Sequence, residues 1–219
     1  MRIVMSLATI LIALFASAEP AKAAPILLFN TGVDNNRSLL TEGTVDSHYA
    51  LIGSPAPTLN RAFVSDTLPP VYIPNGLNSK WIGPGSDLTA GYPRGDYTYR
   101  TTFDLTGYDP TTAIISGRFA SDNGLPNVPQ IFLNASSTSV GSWPNQFAAF
   151  TSFTLVSGFV SGLNTLDFRV SEPGGTPTAL RVELSGTVGG AMVPEPSSLV
   201  LVGAGAALLL LAVQWGRVR

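Results

Sequence analysis

An all-β chain, built as an antiparallel sandwich or barrel, is what this sequence predicts. Three observations carry that expectation. Gly and Pro are frequent, 22 and 17 of 219 residues, and scattered. Short β-rich runs alternate with turn residues. No long segment places apolar residues at a 3.6-residue spacing.

The predicted strands are 26–30, 47–53, 97–105, 112–120, 130–134, 147–156, 164–171 and 178–186. In the third, Tyr97, Tyr99, Thr101 and Phe103 share one face, because side chains alternate along a strand. Leu166, Phe168 and Val170 form an inward row, with Asp167 and Arg169 outward. Leu180, Val182 and Leu184 do the same against Arg181 and Glu183. Residues 54–96 are rich in Pro, Gly, Asn and Ser, which predicts long loops with one or two short strands. The stretch 24–187 is long enough for one sizeable core and reads as a single domain.

Both ends of the chain point to export. Met1-Arg2 is a positive start, residues 3–18 form an uncharged apolar run, and Ala21-Lys22-Ala23 is a small-x-small cleavage site. A signal peptide over 1–23, cut after Ala23, is expected. At the other end stands Val193-Pro194-Glu195-Pro196-Ser197-Ser198, then an uncharged apolar run over 199–213, then Gln214-Trp215-Gly216-Arg217-Val218-Arg219. The prolines hold the backbone extended and withhold two N–H donors, a shape suited to a processing enzyme's cleft. Residues 197–215 as a helix reach roughly 28 Å at ~1.5 Å per residue, just enough for a ~30 Å hydrocarbon core. Trp215 takes the interfacial position, and Arg217 and Arg219 are cytoplasmic retention charges. The expected organisation is therefore a signal peptide (1–23), a β-sandwich domain (24–187), and a linker bearing the Pro-Glu-Pro motif (188–196). A transmembrane helix (197–215) and a basic cytoplasmic end (216–219) follow.

This tail resembles the PEP-CTERM sorting domain of Gram-negative bacteria. The resemblance implies an exported protein held transiently in the inner membrane. It also implies processing by an exosortase-type membrane protease that recognises Pro194, Glu195 and Pro196. The cell surface or extracellular matrix is then the destination. The basic end is sparser than is usual for that family.

A second resemblance runs from about 95 to 186. Its elements are Tyr97-x-Tyr-Arg-x-x-Phe-Asp-Leu105, Ile114-x-x-Gly-Arg-Phe-Ala-Ser-Asp122-Asn123, Ile131-Phe132-Leu133-Asn134, 147–155 and Gly162-Leu163-Asn164. The series is similar to the galactose-binding-like jelly roll of carbohydrate-binding modules, which implies two antiparallel sheets and a glycan ligand, here exopolysaccharide. Where that family usually has Leu-Asn-Gly, this chain has Leu133-Asn134-Ala135. Ala disfavours positive φ, so a turn of different type is expected.

Composition excludes several activities. With no Cys, there is no disulfide framework, thiolate metal site or Cys nucleophile. Between residues 24 and 196 stand eight Lys/Arg and thirteen Asp/Glu, which argues against a nucleic-acid footprint. The lone His48 lies in Asp46-Ser47-His48-Tyr49, but neighbours in a strand point to opposite faces and make no triad. It reads as a surface or pocket-edge residue. No Gly-x-Ser-x-Gly elbow is present. A non-enzymatic protein without a cofactor is expected. A secreted glycan hydrolase or lyase is the alternative.

The candidate ligand contacts are five. Trp81, Tyr92 and Trp143 lie in Pro/Gly-rich segments, where loop aromatics can stack on sugar faces or plug the ends of a sandwich. Asp122 and Asn123 sit just past a strand end, as a turn cap or as oxygen ligands. Calcium needs six or more oxygens, more than this pair supplies.

Overall fold

A computed structural model describes residues 23–123, 130–141 and 146–190. The expected signal peptide up to Lys22, the Pro194-Glu195-Pro196 motif, the transmembrane segment and Trp143 lie outside the described residues. Among the described residues no helix is long and apolar enough to cross a membrane.

The fold is all-β, with two antiparallel sheets. In chain order the strands are β1 (Ala24–Pro25), β2 (Ala50–Gly53), β3 (Phe63–Ser65), β4 (Trp81–Gly83), β5 (Gly95–Asp104) and β6 (Ile114–Asp122). They continue as β7 (Ile131–Leu133), β8 (Ser136–Ser137), β9 (Thr151–Leu155), β10 (Leu163–Glu172) and β11 (Ala179–Val188). The first sheet has the order β3-β4-β11-β6-β9, with β1 also on β11, and the second β2-β5-β10-β7-β8. Long strands pair with long strands: β5 with β10 from Gly95↔Glu172 to Asp104↔Leu163, and β6 with β11 from Asp122↔Ala179 to Ile114↔Thr187.

The alternating rows fill the space between the sheets. Tyr97, Tyr99, Thr101 and Phe103 are all buried, as are Leu166, Phe168, Val170, Leu180 and Val182. At the centre Phe119, Phe153 and Phe168 meet edge-on or tilted at 6.0–6.3 Å between ring centroids, the geometry favoured by aromatic quadrupoles.

Several expectations are corrected. Segment 26–30 is not a ladder strand. It runs beside β11, but Asn30 Oδ1 accepts from Leu184 N–H and Thr31 Oγ1 from Val182 N–H, at 2.8 and 3.0 Å. Backbone bonds persist only from Ile26 N–H to Gly186 O and from Thr31 N–H to Val182 O, both 3.0 Å, and side chains supply the rest of the pairing. The predicted strand 47–53 starts later, at Ala50, because the Asp46 carboxylate accepts from the backbone N–H of His48 and fixes a turn there. Residues 146–148 are a 3₁₀ turn, so β9 begins at Thr151.

Asp167 and Arg181 do point to the outer faces, yet both are buried. Arg100 covers Asp167 with two hydrogen bonds of 2.6 and 2.7 Å. Arg181 donates to Ser79 Oγ at 2.8 Å, and its guanidinium lies 5.0 Å from the Phe150 ring centroid. Segments 66–80 and 146–150 lie over this part of the first sheet. A second apolar cluster of Tyr72, Trp81, Leu88, Ala120 and Ala179 results.

The Leu133-Asn134-Ala135 turn is a hairpin joining β7 to β8. Asn134 and Ala135 both have positive φ, 51° and 64°. That is the backbone of a tight hairpin turn matched to strand twist, and Ala takes it despite its Cβ. Asn134 holds it in place, donating to Gly158 O and Asn164 Oδ1 and accepting from Thr165 N–H at 2.9–3.0 Å.

Candidate functional site

The starts of β5 and β11 and the ends of β6 and β10 lie at one end of the sandwich, because Gly95 pairs with Glu172 and Asp122 with Ala179. The loop before β5, the residue after β6 and the β10–β11 loop therefore gather there. Four of the five candidate contacts belong to this end or to the layer beneath it.

Glu172 organises the cluster. It is 2 % exposed. Oε1 accepts from Gly174 N–H (2.7 Å), Thr176 N–H (2.9 Å) and Thr176 Oγ1 (2.9 Å), while Oε2 lies 3.4 Å from Asn123 Nδ2. The sequence presents it only as an acid ahead of Pro173-Gly174-Gly175, a loop residue. Its role as the hub of that loop was missed. The usable signal was an acid followed by flexible residues and a Thr four positions on.

Tyr92 reaches the same loop by its backbone. Its N–H donates to Thr176 O at 3.0 Å, and its hydroxyl to Asp87 O at 2.9 Å. The ring is half-buried. The two loops touch at Gly91, where a Cβ would lie 2.1 Å from Gly175 O, so only glycine fits. Asn123 is half-buried, and its carbonyl accepts from Ser171 N–H at 3.1 Å.

Asp122 is buried and accepts from the Tyr72 hydroxyl. Burial pushes its carboxyl up to about 6; the Tyr72 hydrogen bond pulls the other way and the Glu172 charge adds to the rise. Tyr72 itself is pushed up, chiefly by burial and then by Asp122. Nothing in the sequence of 69–74 marks Tyr72 as the partner of a residue fifty positions on.

Trp81 is not on a loop. It lies in β4, is 0 % exposed, packs 4.7 Å from the Tyr72 ring and donates its indole N–H to Ile73 O at 2.8 Å. With no accessible face it has no surface to offer a sugar. It supports the cluster from below, through Tyr72.

His48 stands apart. Its ring stacks on Phe29, 3.6 Å between centroids and 3° from parallel. The Asp46 carboxylate that would orient an imidazole instead caps backbone N–H groups, those of Gly32 and His48 at 2.7 and 2.8 Å. Among the described residues no group of three or more His, Asp or Glu side chains is placed to hold a metal ion.

The loop end thus offers a half-buried Tyr ring, a half-buried amide and the exposed Thr176 and Asp87, above two buried carboxylates. Such a surface can hydrogen-bond hydroxyl groups and flank an apolar sugar face. Neither the scan against protein-family models nor the search of curated proteins finds a match for this chain.

Proposed function

We propose that the chain is an exported bacterial surface or extracellular-matrix protein, sorted through its C-terminal tail. Its sandwich is a non-catalytic jelly-roll module that binds exopolysaccharide at the loop end. The observation that carries the delivery part is the ordered series Pro194-Glu195-Pro196, an uncharged 15-residue run and a basic end. An exosortase-type membrane protease is the processing partner. The convergence of Tyr92, Asn123 and Thr176 supports the binding part.

Mass spectrometry of the mature C-terminus tests delivery, beside a Glu195→Ala variant. The variant should accumulate as the uncleaved membrane form; normal processing of it sinks the sorting reading. Binding is tested by pull-down on polysaccharide from the producing bacterium. Tyr92→Ala and Asn123→Ala should abolish capture without lowering the melting temperature by more than a few degrees. Failure of the native protein to bind any such polysaccharide removes the glycan part.

One observation favours a second reading, a glycan-active enzyme. Asp122 holds its proton to about pH 6 beside Glu172, and raised carboxyls serve as general acids. Against it, Glu172 spends its oxygens on its own loop and Asp122 is covered by Tyr72. Turnover of a polysaccharide by the purified chain, lost in Asp122→Asn, would establish that reading instead.

A further inference from the structure

Ala24 pairs with Val188 and Pro25 with Thr187, so the two chain ends leave the sandwich side by side. They leave at the pole opposite the loop cluster. Gly190 bridges to Tyr108 there, and β5 ends and β10 begins there, at Asp104↔Leu163. Strand β10 spans this distance: ten residues, or about 30 Å at ~3.3 Å per residue.

The two poles differ in surface chemistry. Six large apolar side chains left exposed among the described residues lie at or beside the pole of the chain ends: Leu27 (65 %), Leu163 (65 %), Val156, Val160, Ile114 and Tyr108. Five others, Leu39, Val45, Ile52, Val71 and Leu77, are exposed elsewhere; of these Val71 adjoins Tyr72 near the loop end, which otherwise presents Asp87, Arg94 and Thr176. Six residues, 191–196, separate Gly190 from the expected membrane helix, a reach of at most about 20 Å when extended.

We propose that this apolar pole is a membrane-facing surface, which rests on the lipid headgroup region while the tail is in the bilayer. The proposal rests on reading the tail as a membrane anchor. The occupant is a lipid surface because a short tether on the same pole holds it against one, and exposed apolar side chains gain by leaving water. Asp104 and Asp109 lie on the same pole, each held anionic by hydrogen bonds from the Thr two residues on, and confine it to headgroup depth. The consequence is orientation: the loop end is presented outward, about 30 Å further from the bilayer than Leu163.

The chain has no Cys, so single labels are clean. The mature chain, residues 24–219, is reconstituted into phosphatidylcholine vesicles carrying a headgroup-linked acceptor dye, with a donor on Leu163→Cys or on Ala90→Cys in the loop before β5. Transfer should be strong from position 163 and weak from position 90. The difference should shrink when Leu27→Ser and Val160→Ser are added to each labelled chain. Equal transfer from a chain that floats with the vesicles means that the body tumbles on its linker, and overturns the proposal alone. Stronger transfer from position 90 also overturns it. A chain that does not float fails the anchor reading, and the proposal with it.

Discussion

Tyr72 donates its phenolic hydrogen to the buried carboxylate of Asp122, tying the layer over the first sheet to the last residue of β6. The bond joins two parts of the molecule that the backbone does not. It also places a titrating group under the candidate site.

Asp122 should make stability depend on pH. Its folded value, about 6, exceeds the ordinary 3.8, so the folded state holds the proton more tightly. Its stabilising contribution is complete below about pH 4 and is lost as pH rises through about 6. The loss is on the order of 1–3 kcal/mol. Asp46, also raised by burial, acts in the same direction. Urea denaturation of native protein and Asp122→Asn at pH 4.5 and 7.5 should give a smaller loss with pH for the variant. Identical pH dependences would mean that Asp122 is not perturbed.

Removing the Trp81 side chain should destabilise by about 3–5 kcal/mol, the range for a buried Trp cut to Ala. Trp81→Phe keeps most of the ring but leaves Ile73 O without its donor, and should cost about 1–3 kcal/mol. Thermal melts of both check this. Weakened glycan capture by Trp81→Ala would then track unfolding rather than lost stacking.

Ala135→Gly should stabilise the protein by about 1 kcal/mol, because Ala135 has φ 64° and a Cβ is unfavourable there. Asn134→Ala should destabilise by about 1–3 kcal/mol, since it releases Gly158 O, Asn164 Oδ1 and Thr165 N–H together. Equilibrium denaturation measures both. An unstable Ala135→Gly protein would refute the turn geometry.

Arg100→Ala exposes the cost of a buried carboxylate. Asp167 is 7 % exposed and held by two hydrogen bonds from Arg100. Loss of the guanidinium should destabilise by about 1–3 kcal/mol, and Asp167→Asn in that background should restore part of it. A double-mutant cycle with no coupling would show that the pair is solvated.

Much of the fold was legible. β5, β10 and β11 appear in the sequence within a residue or two of their ends, because period-two alternation is written along each strand. Shorter elements blurred. Ser136–Ser137 carries no apolar pattern, and the sequence shows β3 and β4 only as one or two short strands within 54–96. The candidate site was legible as residue types, a Tyr in a Gly-rich loop and an Asp-Asn pair, although Asp122 is the last residue of β6 and only Asn123 lies past the strand. Glu172 was not, because its partners become apparent only when the loop closes.

The sequence by itself determined which strands alternate and which segments turn, since those are local properties of side-chain spacing and backbone freedom. Only the tertiary structure decided that Trp81 is internal, that Arg181 and Asp167 are covered, and that Tyr72, Asp122, Glu172 and Tyr92 share one end. Burial and ionisation depend on which distant segments pack together, and pairing such as Asp122↔Ala179 is set by the closed sandwich, not by neighbours along the chain.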